Sequence, residues 1–178
     1  MKKAAFLLLF FTLFASLINA QGFQKGSKTI NAGIGFGLTG IYGDSDLPPV
    51  SVGFQYGIDE KISIGGIVGL STSSYNDGWY NDNYRWSFTY FIIGARGEYH
   101  FLKSEDKFDA YAGATLAYNN VSVSEPSGYN GYYSYDGSYM IYGVHVGGRY
   151  AFSETLGAFA ELGYGIGYLT LGVSYNLK

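Results

Sequence analysis

The chain has no cysteine, three prolines, two histidines and charged residues at only 14% of its 178 positions. Without cysteine there is no disulfide framework, no thiol nucleophile and no thiolate metal site, and a lipoprotein anchor is excluded. The few prolines and the absence of a low-complexity tail argue against a disordered chain. One long apolar run exists, from Ala4 to Leu17 behind Lys2 and Lys3. It is shorter than the roughly 20 residues a membrane-spanning helix needs, and Ile18-Asn19-Ala20 follows as a cleavage site, so residues 1–20 read as a signal peptide. With Lys2 and Lys3 removed, nine basic residues face fourteen acidic ones. That balance excludes nucleic acid as a partner.

What the sequence does have is glycine, 27 residues, and aromatics at 19%. It also has strict alternation. Val50-Ser51-Val52-Gly53-Phe54-Gln55-Tyr56-Gly57 and Leu169-Thr170-Leu171-Gly172-Val173-Ser174-Tyr175-Asn176-Leu177 each place apolar side chains on one face and small or polar ones on the other. The pattern predicts eight strands, at 29–38, 49–57, 61–71, 85–102, 107–121, 139–152, 156–165 and 168–177. Tight polar turns such as Ile58-Asp59-Glu60 alternate with longer loops at 39–47, 72–84 and 122–138. Behind a secretory signal, this is the pattern of an all-β, eight-stranded, antiparallel up-and-down transmembrane barrel over residues 21–178, its short turns toward the periplasm. Lys25, Lys28, Lys61, Lys103, Lys107 and Lys178 fall at the turn side, whereas the long loops carry acids and no lysine.

Alternation alone fits a soluble barrel equally well. The polar face decides between them, because a soluble barrel needs lysine and glutamate outside. Here that face holds Asn31, Gly33, Gly35 and Gly37 on the first strand and Thr170, Gly172, Ser174 and Asn176 on the last. The other face is bulky, with Ile34, Phe36, Ile64, Val68, Phe91, Ile93, Val144, Val146, Leu171 and Val173. Aromatics stand at its ends: Tyr56, Tyr99, Phe101, Phe108, Tyr150, Phe152 and Tyr175 at the turn side, Tyr118, Tyr142 and Tyr164 at the loop side. Small residues suit a crowded lumen, bulky ones suit lipid, and aromatic girdles suit the headgroup layer.

The same parity puts Arg96, Glu98, His100, Asp109, His145, Arg149 and Glu161 in the lumen. Opposite charges confined there should pair, since an unpaired buried charge is costly. The reading is a polar network that plugs the barrel; a proton or ion path is the alternative. No hydroxyl–His–acid set gathers at the lipid face, so no enzyme is expected, and an enzyme acting on acyl chains of lipid A ranks last. Gly35-Phe36-Gly37-Leu38-Thr39-Gly40 matches G-x-G-x-x-G without a following helix. Asp44-x-Asp46 and Asn76-Asp77 with Asp82 lack the spacing of a calcium loop, so neither a metal nor another cofactor is expected. The long loops are the other candidate site. Tyr75, Trp79, Tyr80 and Tyr84 occupy one, Tyr129, Tyr132, Tyr133 and Tyr135 another, among Gly, Ser and Asn. That composition gives large contact area at low entropy cost, as adaptable recognition surfaces do.

The whole predicted barrel, with Gly157-Ala158-Phe159-Ala160-Glu161-Leu162-Gly163-Tyr164 and the closing Leu171-Gly172-Val173-Ser174-Tyr175-Asn176-Leu177-Lys178, resembles the small outer-membrane barrels of Gram-negative bacteria of the OmpX and OmpA-barrel type. The closing strand is similar to the signal read by the barrel-assembly machinery, though it ends Leu177-Lys178 where that signal commonly ends in an aromatic residue. The resemblance implies an outer-membrane location, contact with outer-membrane lipids and lipopolysaccharide, insertion by that machinery, and a surface ligand or a second outer-membrane protein as partner. The expected role is structural, adhesive or docking. The alternative is a narrow channel for small hydrophobic or ionic solutes.

Overall fold

The computed structural model describes residues 23–37, 43–76, 85–102, 107–124, 137–164 and 167–177. The expected signal peptide lies outside the described residues. Eight strands follow in order: β1 Lys28–Phe36, β2 Asp44–Gly57, β3 Ile62–Asn76, β4 Arg85–His100, β5 Phe108–Ser124, β6 Tyr139–Ala151, β7 Leu156–Tyr164 and β8 Leu169–Leu177. Each pairs antiparallel with its sequence neighbour, and β1 closes on β8 from Lys28↔Leu177 to Phe36↔Leu169. Closure satisfies every strand edge, which is what a sheet surrounded by lipid requires.

Within the apolar band the faces divide as the alternation predicts. On β6, Val144 is 63% exposed, His145 9% and Val146 56%. Ile34, Phe36, Val52, Ile64, Ile93, Leu116, Leu162 and Val173 are all exposed, while Asn31, Gln55, Ser63, Thr115, Asn119 and Ser174 are buried. Soluble monomers rarely expose a contiguous apolar patch beyond a few hundred Å². A belt of aliphatic side chains around a whole barrel, edged by Tyr56, Tyr99, Phe101, Phe108, Tyr150, Tyr118 and Tyr164, fits lipid instead.

Three strands run further than the alternation indicates. β2 begins at Asp44 rather than Pro49, β3 reaches Asn76 rather than Ser71, and β5 reaches Ser124 rather than Val121. Asp44↔Ser74, Ser45↔Ser73 and Ser87↔Ser124 are paired there. Beyond the lipid band both faces can be polar, so the ladder continues after the apolar signal has stopped. The register shifts around Leu47, beside Pro48 and Pro49, whose missing N–H groups break the ladder. A consequence is that Tyr75 belongs to β3, opposite Trp86, and not to a loop.

Candidate functional site in the lumen

Register decides which inward side chains meet. Glu98 lies across from Ser63 on β3, His100 from Tyr111 on β5, Asp109 from Arg149 on β6, and Gly147 from Glu161 on β7. With Gln55 of β2, six strands supply one cluster. Glycines make room for its larger members: a Cβ at Gly147 would lie 2.6 Å from Cζ of Tyr111, and one at Gly113 2.6 Å from Nε2 of His145.

Arg96 holds the centre. Its Nη2 donates to both carboxylate oxygens of Glu161 at 3.0 Å and to Nε2 of His145 at 2.6 Å, and lies 3.3 Å from Oε1 of Glu98. Tyr111 donates its hydroxyl to Glu161 at 3.0 Å, and Gln55 donates its amide to Glu98 at 2.6 Å. Ligand atoms of Glu98, His145 and Glu161 lie within 4.8 Å of one another, a spacing that could hold a metal ion. The Arg96 guanidinium reaches all three, so the cationic position among them is taken by a side chain.

Toward the short-turn end sits a second layer. Ser63 Oγ is 3.0 Å from Nε2 of His100, and Nδ1 of His100 donates to Asp109 at 2.9 and 3.0 Å. Arg149 donates from Nη1 to Asp109 at 3.3 Å, and its guanidinium lies 5.3 Å from the Tyr111 ring centroid. Phe23 covers this layer: its ring stacks on His100 at 3.5 Å with the planes 2° apart. Toward the other end lies a cavity of about 30 Å³, lined by Asn31, Ser51, Arg96, Thr115, His145 and Glu161 among others. That volume suits about two waters. Oδ1 of Asn31 and Nε of Arg96 are buried without a protein partner.

All the charged lumen residues expected from sequence, Arg96, Glu98, Asp109, His145, Arg149 and Glu161, therefore come together, with His100. Sequence parity missed Gln55, Ser63, Tyr111 and Phe23. A hydroxyl–His–acid set does form, Ser63–His100–Asp109, inside the lumen rather than at the lipid face. Of the loop aromatics, Tyr75 is half exposed on β3. Trp79, Tyr80, Tyr84, Tyr129, Tyr132, Tyr133 and Tyr135 lie outside the described residues.

No protein-family model matches the chain, and no curated protein matches its sequence. Solved structures do match in fold. The outer membrane protein OprG of Pseudomonas aeruginosa superposes with a TM-score of 0.64 at 11% identity, over 89% of this chain and 99% of that one. The N-terminal barrel domain of OprF from the same bacterium gives 0.57 at 18% identity, over 86% and 98%. Ail, the attachment invasion locus protein of Yersinia pestis, gives 0.55 at 13% identity, over 86% and 100%. A second Ail structure is a complex with the heparin analogue sucrose octasulfate. The architecture is that of the small outer-membrane barrels.

Proposed function

We propose that the chain is exported by its signal peptide and inserted by the barrel-assembly machinery into the outer membrane among its lipids and lipopolysaccharide. We further propose that its lumen is plugged and that it displays its long connections at the cell surface for adhesion or for docking to another membrane protein. The network centred on Arg96 carries the reading. Charged and hydrogen-bonded side chains from six strands meet across the lumen, which leaves the connections as the part of the chain free to vary. Those connections are rich in Tyr, Ser, Gly and Asn. Ail, whose name records attachment, supports the adhesive version. A heparin-like polyanion is disfavoured as ligand, because the long loops are acidic and hold no lysine.

The test replaces residues 77–84 and 125–136 with short Gly/Ser turns, scoring surface adhesion and co-purification of membrane proteins. Loss of both with the barrel intact is the expected result; unchanged adhesion and partner recovery would remove the display role. The second reading, a narrow channel, is favoured by the cavity beside Arg96 and by its unpartnered polar atoms. Planar-bilayer recordings of the refolded chain separate the two. Display predicts a silent barrel, and reproducible small conductances would move the function into the lumen.

A further inference from the structure

We propose that Ser63, His100 and Asp109 form a latent acyl-transfer site at the short-turn end of the lumen, closed by Phe23 and open to small carboxylic esters when that ring withdraws. This goes beyond the display reading and concerns the opposite end of the barrel. The three parts of an activated serine are present: a hydroxyl 3.0 Å from an imidazole nitrogen, and a carboxylate at 2.9 Å from the other nitrogen. With Nδ1 of His100 engaged by Asp109, Nε2 is the nitrogen that faces Ser63. A second carboxylate oxygen, Oε2 of Glu98, lies 4.0 Å from that Nε2 and has no hydrogen-bond partner. Two acids therefore stand ready to stabilise the imidazolium formed in the reaction.

Buried Ser–His–Asp chains also arise simply because buried polar groups need partners. Two observations point further. First, Arg149, bonded to the same Asp109, keeps Nε and Nη2 buried and unpartnered. Unpartnered buried donors of this kind call for a polar guest in the same layer. Second, the cover is no part of the sheet. Phe23 is held by a tight turn, Ser27 N to Gln24 O, with Gly26 N bonded to Gly57 O and Gly57 N to Ser27 O. Gly26 takes φ +81°, and a side chain at Gly57 would meet Phe23 Cζ at 3.0 Å. A turn that lies outside the strand ladders is drawn from the low-stability end of a structure.

The chemistry balances without a redox partner. Ser63 Oγ attacks the ester carbonyl carbon as its proton passes to His100 Nε2. The bond to the alcohol breaks, and the alcohol leaves with that proton. Water, deprotonated by the same nitrogen, then releases the carboxylic acid and restores Ser63.

The test uses the full chain without residues 1–20, refolded in detergent micelles, and a fluorescent fluorophosphonate that labels activated serines. Phe23→Ala should label about tenfold faster than the parent chain, the shift expected from losing one aromatic stack. Adding Ser63→Ala should abolish the label, and hydrolysis of p-nitrophenyl acetate should follow the same order. A folded Phe23→Ala that stays unlabelled, or a label that survives Ser63→Ala, overturns the proposal. Phe23→Leu carries the same readout if the alanine variant does not fold. Failure of both to fold also overturns it, since the ring would then be core and not cover.

Discussion

The two faces of β6 teach more about this protein than any single site. Outward, Tyr142, Val144, Val146 and Tyr150 are exposed; inward, Gly143, His145 and Arg149 are buried. A soluble barrel would invert that order. With lipid outside, apolar exposure has no cost, and within the bilayer the lumen becomes the place for charge. Charge there must be paired, and the pairing gives the inside its specificity. The outside needs hydrophobicity and size alone. The outer face should therefore tolerate any apolar exchange, while the inner face tolerates few changes of any kind.

Substitutions sharpen that contrast in descending order of effect. Arg96→Ala strips Glu161, Glu98 and His145 of their common partner, and breaking a buried pair in this way costs about 3–5 kcal/mol. Equilibrium urea unfolding in lipid vesicles measures it, and Arg149→Ala, which leaves Asp109 with His100 alone, should fall at the lower end of that range. Val144→Arg, on the outer face near mid-bilayer, should cost about 2–4 kcal/mol in the same titration. Tyr150→Arg, at the girdle beside the short turns, should cost no more than about 1 kcal/mol. Lys61→Ala, on a solvated turn, should stay within about 0.5 kcal/mol of the parent chain. A lumen variant no worse than Lys61→Ala would mean that the network contributes nothing to stability.

Most of the fold was legible because lipid imposes a strict rule. Period-two alternation marked all eight strands, and parity alone placed Arg96, Glu98, His100, Asp109, His145, Arg149 and Glu161 inside. The rule lapses where lipid ends, so alternation stops short of the outer ends of β2, β3 and β5 and leaves Tyr75 in a loop. Pairings were illegible for a different reason. Parity gives the face of a residue, but the meeting of Ser63 with His100 also depends on strand register and barrel closure. Serine is common on the inward face, so nothing in the sequence marked Ser63. Phe23 precedes β1 and follows no alternation at all. The doublet Gly147-Gly148 opposite Tyr111 and Ala110 was the one local hint that a large ring lies in the lumen.

The bulky face meets lipid and the charged face lines the lumen. This division is tested most directly by unfolding Val144→Arg and Tyr150→Arg side by side in vesicles. The mid-band arginine should be the more destabilising by about 1–3 kcal/mol. Equal tolerance at the two depths would contradict it, because only a face immersed in hydrocarbon distinguishes its middle from its edge.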